Sequence, residues 1–111
     1  MKWTKAAFRR VEAAFNALAG DEFADMNIRW EWQLPGRTIG HGRRPDPIGW
    51  VRYAPAGSYQ YEWGRRFHGG EERDNAPGWA EQYAQGVVSR MRREQAHMRK
   101  RAELKAAEVT T

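Results

Sequence analysis

Apolar and polar residues alternate along this chain with two different periods, and the changes of period divide it into three parts. From Trp3 to Leu18, apolar residues recur every three or four positions, and charged residues occupy the opposite side. This spacing predicts an amphipathic helix of about four turns. Thr4 is the expected N-cap of that helix, and Gly20 fits the position just past its end.

The middle of the chain changes to a period of two, which predicts strands. Between Met26 and Leu34 every second residue is apolar, so we expect a half-buried strand with Trp30 and Trp32 on the core side. Pro35-Gly36 then predicts a type II turn with a left-handed glycine. A short returning strand over residues 37–40 and a loop over residues 41–47 are expected to follow.

Two further segments predict the second and third main strands. Ile48–Ala54 and Tyr59–Phe67 are rich in aromatic and β-branched residues and are separated by the turn sequence Pro-Ala-Gly-Ser. Because the connections are short, antiparallel pairing in a meander is the simplest topology.

The last part of the chain predicts one long helix from Pro77 to Ala107. Asn75 is its candidate N-cap, and Pro77 is expected in the first turn, where its missing N–H costs nothing. Apolar positions are frequent as far as Met91 and sparse beyond it. Such a helix is roughly 45 Å long, whereas a compact domain of ~100 residues has a radius of gyration of about 13 Å. We therefore expect its second half to extend beyond the body.

Together these elements predict one α+β domain over residues 1–111, in the order α-β-β-β-α. A three- to four-stranded antiparallel sheet is expected to pack under the N-terminal helix and the long C-terminal helix in a two-layer sandwich. The expected parts are a body over residues 3–91, a protruding basic helix over residues 90–107 and a frayed tail over residues 108–111.

The positive charge of the chain is concentrated in the second half of the predicted long helix. The chain has 19 basic and 14 acidic residues, a net charge of +5. Seven of those basic residues and two of those acidic ones lie between Arg90 and Lys105, which leaves 12 of each elsewhere. The segment thus accounts for the whole excess, and a localised excess favours an acidic partner.

The predicted contact residues are this basic segment and two arginine pairs expected in loops that flank the sheet. They are Arg90, Arg92, Arg93, Arg99, Lys100, Arg101, Lys105, Arg43, Arg44, Arg65 and Arg66. Lysine and arginine neutralise phosphates whatever the base sequence. In the alternative interpretation the helix is simply solvated, with its arginines paired to Glu94 and Glu103, and the arginine pairs are ordinary loop charge.

Aromatic residues of the predicted third strand are a second type of candidate contact. Tyr59, Tyr61 and Trp63 share one face of that strand. They are interpreted either as a surface on which bases or a protein partner stack, or as core beneath the helices.

The sequence offers few candidate catalytic or metal-binding residues. The chain has no cysteine, which excludes disulfides, thiolate nucleophiles and cysteine-ligated zinc. Its three histidines share no metal-ligand spacing, and a paired-carboxylate site would require Glu31, Glu62 and His41 to meet. The sequence contains neither a signal peptide nor ~20 consecutive apolar residues. We predict a cytoplasmic non-enzyme without a cofactor, a metal or a membrane partner.

The predicted order of helix, three strands and helix resembles double-stranded RNA-binding domains in topology alone. The start of the second helix, APGWAEQYA, has Glu81 as its only charged residue, whereas that family has a lysine cluster there.

The leading hypothesis is a non-catalytic small basic protein that docks on nucleic acid or a nucleoprotein complex through its C-terminal helix. The first alternative is a phage-type protein inhibitor that binds a protein surface of a host assembly through aromatic and arginine residues. The second is a structural subunit that forms a homodimer through the long helix. Its apolar seam would consist of Ala84, Val88, Met91, Gln95, Met98 and Ala102.

Overall fold

The computed structural model describes residues 1–38, 42–56 and 63–110. In chain order the elements are α1 (Lys5–Ala19), β1 (Met26–Gln33), β2 (Gly36–Thr38), β3 (Gly42–Arg44), β4 (Ile48–Pro55), β5 (Trp63–His68) and α2 (Trp79–Thr110). The main sheet is antiparallel with strand order β1-β4-β5. The predicted α-β-β-β-α fold and its meander are therefore confirmed. Neither described helix is both long enough and apolar enough to cross a membrane.

Both ends of α1 follow the sequence signals. The Thr4 hydroxyl accepts a hydrogen bond from the Ala7 N–H at 3.1 Å. Gly20 has a φ of 54° and donates its N–H to the Asn16 carbonyl, which ends the helix. Leu18, predicted on the apolar stripe, is exposed instead, although Ala19 in the same turn is buried.

The register of the main sheet separates its residues onto two faces. Gly49, Val51 and Tyr53 face the helices and the core. Trp30 lies opposite Val51, and Trp32 lies opposite Gly49, so both tryptophans share this face and pack against the core as predicted. The alternating residues of β4 occupy the opposite face, which is called the outer face below.

The contact between Phe8 and Gly49 fixes α1 on the sheet. Phe8 is fully buried, and its ring centroid lies 5.5 Å from that of Trp30 and 5.7 Å from that of Phe67. A β-carbon at position 49 would lie 2.5 Å from the ring. Glycine therefore allows the ring to lie directly on β4.

Residues 36–44 differ from the prediction. Gly42–Arg44 are not part of a loop, because they pair with Gly36–Thr38 in a separate two-stranded antiparallel sheet. Gly36 begins β2 and does not have a positive φ angle; among the described residues, Gly20 and Gly78 do. The prediction of a left-handed glycine in this turn is therefore wrong. Leu34 is exposed because β1 ends at the preceding residue.

The start of α2 also differs from the prediction. Gly78 has a φ of 79°, a left-handed conformation that an α-helix cannot include, so the helix begins at Trp79 rather than Pro77. Asn75 is not its N-cap, since the Asn75 side chain accepts a hydrogen bond from Arg73. The helix continues to Thr110, three residues beyond the predicted end.

Candidate functional site

The second half of α2 extends past the body of the protein. Gln95 is its last buried residue, and Met98 is the last half-buried one among the described side chains. The 32 residues of α2 span about 48 Å. The radius of gyration is 16.5 Å, compared with about 13 Å for a compact domain of ~100 residues. Much of the basic segment therefore lies on a helical extension.

One flank of this segment is held by the acidic connection between α1 and β1. Arg92 donates two hydrogen bonds of 2.8 Å to the Glu22 carboxylate. Three residues further on, Gln95 donates to Asp25 at 2.9 Å, and Arg99 lies 3.7 Å from the same carboxylate. The hydrogen bond from Arg92 lowers the pKa of Glu22 below its ordinary value. Arg92 and Arg99 therefore have acidic partners within the chain.

A different face of α2 carries the basic stripe, defined here as Arg90, Arg93, His97 and Lys100. Their spacing of three, four and three residues places them on one side of the helix. Arg93 and Lys100 are exposed, and Arg90 is half-buried. Within the described residues, Arg90, Arg93 and Lys100 form no ion pair with a carboxylate. The pairing with Glu94 and Glu103 considered from the sequence is thus not seen for these three.

Arg65 brings a further positive charge from β5 next to this stripe. Its guanidinium carbon lies 4.8 Å from the centroid of the Phe67 ring and 5.5 Å from that of Tyr83. Burial lowers the pKa of Arg65, and the neighbouring Arg90 lowers it further. The Tyr83 ring acts in the opposite direction and raises this pKa. The packing partners of the Arg65 guanidinium group are thus aromatic rings of β5 and α2. Arg65 lies in β5, within the strand predicted over Tyr59–Phe67, although the arginine pair was also interpreted as loop charge.

Four residues lie together on the outer face, although the sequence did not predict that they form a cluster. They are called the outer-face cluster: Arg29, Trp50, Arg52 and Arg66. The guanidinium carbons of Arg52 and Arg66 lie 4.5 and 5.2 Å from the Trp50 ring centroid. Arg29 lies opposite Arg52 in the β1–β4 register. Only Arg66 was predicted as a contact residue. The two-residue spacing of Trp50 and Arg52 is the one sequence signal for their shared face.

An open groove runs under the helical extension. It has a volume of about 540 Å³, and Met98, Ala102 and Pro55 form an apolar part of its lining. Arg101 and Lys105, both predicted contact residues, also line it. The groove places these two side chains beside the end of β4, away from the stripe formed by Arg93 and Lys100.

The described part of the structure does not place the other predicted contact residues on these surfaces. Arg43 and Arg44 belong to β3, outside the main sheet, and only their backbone is described. Tyr59 and Tyr61 lie outside the described residues. Trp63 begins β5, but its side chain is not described. An aromatic contact through these residues stays a prediction.

Candidate metal or acid–base groups do not assemble within the described part of the chain. No three His, Asp or Glu side chains there are placed to hold a metal ion. Glu31 lies 3.3 Å from Arg29. Glu62 and His41, the other members of the site considered from the sequence, lie outside the described residues.

Comparison with known protein families, curated proteins and solved structures finds no match for this chain. The geometry of its basic surfaces is therefore the basis for assigning a function.

Proposed function

We propose that this protein is a non-catalytic binding protein that docks on nucleic acid, free or within a nucleoprotein complex, through the basic stripe of α2. One observation carries the proposal. The segment Arg90–Lys105 holds the entire net charge of the chain, and within it Arg90, Arg93 and Lys100 lack a carboxylate partner among the described residues.

The position of the stripe suits a phosphate backbone. When lysine and arginine side chains contact nucleic-acid phosphates, they release the condensed counterions of the nucleic acid. Arg93 and Lys100 are exposed, whereas Gln95 between them is buried against the body, so the two cations are accessible to a ligand. Arg65, which packs 5.5 Å from the centroid of the Tyr83 ring of α2, adds a positive charge from β5.

Two double variants with the same change in charge test the proposal. Arg93→Gln/Lys100→Gln removes two charges from the stripe, and Arg92→Gln/Arg99→Gln removes two charges that already have acidic partners. Binding to fluorescein-labelled DNA and RNA oligonucleotides is measured by fluorescence anisotropy at low and moderate salt. We expect the stripe variant to bind about tenfold more weakly, and the control to bind nearly as well as the wild type.

Two results would overturn the proposal. One is a wild-type affinity that does not change between low and moderate salt, because phosphate contacts are always weakened by salt. The other is an equal loss of affinity in the two double variants, which would show that the stripe is not the contact surface.

The two alternative functions gain less support from the geometry. The inhibitor hypothesis depends on aromatic residues together with the arginine pairs, and the side chains of its aromatic residues Tyr59, Tyr61 and Trp63 are not described. The homodimer hypothesis depends on an apolar seam whose first four positions are already buried within the same chain: Ala84, Val88, Met91 and Gln95. Met98 and Ala102 alone would supply about two layers of contact, which is little for a coiled coil.

A further inference from the structure

The outer face of the sheet presents a second positively charged surface, on the side opposite the helices. Trp50 and Arg52 are two residues apart on β4, and Arg66 on β5 lies directly opposite Trp50. The indole ring is thus flanked by two guanidinium groups, at 4.5 and 5.2 Å. Arg66 is exposed, and Trp50 and Arg52 are half-buried.

An aromatic partner positions an arginine without neutralising it. A carboxylate would occupy the N–H donors of the guanidinium group and balance its charge, as Glu31 does for Arg29 at 3.3 Å. An indole ring instead contacts the plane of the guanidinium group and leaves the N–H edge available to an acceptor. Arg52 and Arg66 are therefore held in place with their charge intact.

The charge on this face is only partly balanced within the described residues. Glu31 lies on the same face and pairs with Arg29 at 3.3 Å, whereas Arg52 and Arg66 form no ion pair there. Charge on the edge strand β5 protects against unwanted strand pairing, which accounts for Arg66 but not for Arg52 on the central strand. An anion bound between Arg52 and Arg66 would balance their charge.

We propose that the outer-face cluster binds an unpaired strand of nucleic acid, an inference that rests on the proposed function. One base stacks on the layer formed by Trp50 and Arg66, and Arg52 donates hydrogen bonds to phosphate oxygens. Stacking on indole or guanidinium planes requires an unstacked base, which single strands supply and the interior of a duplex does not. Successive residues of a strand point to opposite faces, so Arg65 and Arg66 connect the two positive surfaces around the β5 edge.

The test compares a fluorescein-labelled oligothymidylate of about 15 nucleotides with a duplex of the same length, because single-strand sites of small domains span about 4–16 nucleotides. The variants are Arg66→Gln, Trp50→Leu and Trp50→Phe. Arg10→Gln is the matched control. The Arg10 guanidinium carbon lies 4.9 Å from the centroid of the Trp79 ring, which is not on the outer face. The substitution therefore also removes one charge and one guanidinium–indole contact, but at a different surface.

We expect the wild type to prefer the single strand. Arg66→Gln and Trp50→Leu are expected to weaken single-strand binding by at least about fivefold, Trp50→Phe to retain most of it, and Arg10→Gln to leave it unchanged. Thermal unfolding followed by circular dichroism checks each variant. If Trp50→Leu does not fold, Arg66→Gln and Trp50→Phe still decide the result.

The outcomes separate this inference from the proposed function. Equal affinity for the duplex and the single strand, or equal losses in Arg66→Gln and Arg10→Gln, would overturn the outer-face inference. The proposed function would survive that result if Arg93→Gln/Lys100→Gln still weakened duplex binding. The absence of salt-dependent binding to either oligonucleotide would overturn both.

Discussion

Replacing Gly49 with alanine is expected to strain the contact between α1 and the sheet. The new β-carbon would lie 2.5, 2.7 and 3.0 Å from three carbons of the Phe8 ring. Non-bonded carbon atoms pack at about 3.5–4.0 Å, so the overlap is close to 1 Å. The Phe8 ring is fully buried among the rings of Trp30, Trp32 and Phe67, and it cannot move without displacing them.

The magnitude follows from the cost of overpacking a core. Adding a carbon to a well-packed site destabilises by about 1–3 kcal/mol. At about 4 °C per kcal/mol for a domain of this size, the Tm of Gly49→Ala should fall by about 4–12 °C. Thermal unfolding followed by far-UV circular dichroism measures the change. Gly36→Ala is the control, because the nearest atom to its new β-carbon, the Leu34 carbonyl oxygen, lies 4.0 Å away.

A Tm of Gly49→Ala equal to that of the wild type would refute the packing of Phe8 on β4. A double-mutant cycle with Phe8→Leu makes the test specific to this pair. If the two residues touch, the cost of the double variant should differ from the sum of the single costs by about 0.5–3 kcal/mol. Additive costs would place Phe8 elsewhere.

Three other predictions concern α2. Arg92 lowers the pKa of Glu22 in the folded state, so their contact stabilises the fold at pH values above the ordinary pKa of 4.5. This stabilisation is lost as the pH falls through the lowered pKa of Glu22. Arg92→Gln should restore the ordinary pKa in an NMR titration of the glutamate carboxyl carbons. A chain that ends at Arg99 should still unfold cooperatively, because the last buried residue of α2 is Gln95. This truncated chain should bind oligonucleotides more weakly than the full chain. Loss of its unfolding transition in circular dichroism would contradict the prediction. Light scattering should give the mass of a 12.9 kDa monomer, because most of the apolar seam is buried within the chain, and a dimer would favour the structural-subunit alternative.

Features set by neighbouring residues were predictable from the sequence. The cap at Thr4 and the stop at Gly20 depend on bonds within one helical turn, and both are confirmed. The core side of β1 follows from strict alternation, which places Trp30 and Trp32 on the same face whatever strand pairs with it. The start of α2 was missed because Pro77 favours a first helical turn, whereas Gly78 takes a left-handed conformation that a proline signal does not reveal.

Features set by distant residues were not predictable. Arg92 and Glu22 are 70 positions apart, so the division of the basic segment into paired and unpaired cations depends on how α2 packs beside the α1–β1 connection. The outer-face cluster likewise depends on the register that sets Arg66 opposite Trp50. Alternation within a strand predicts which residues share a face, but long-range pairing decides which strands supply them.

The salt dependence of nucleic-acid binding tests the role of the basic stripe most directly. The logarithm of the affinity for duplex DNA should fall linearly with the logarithm of the salt concentration, with a slope of about −0.9 for each phosphate contacted. Arg93→Gln/Lys100→Gln should reduce the steepness of that slope by about 1.8, the share of two phosphate contacts. Arg92→Gln/Arg99→Gln should leave it unchanged. Identical slopes in the wild type and both variants would show that the stripe does not contact nucleic acid.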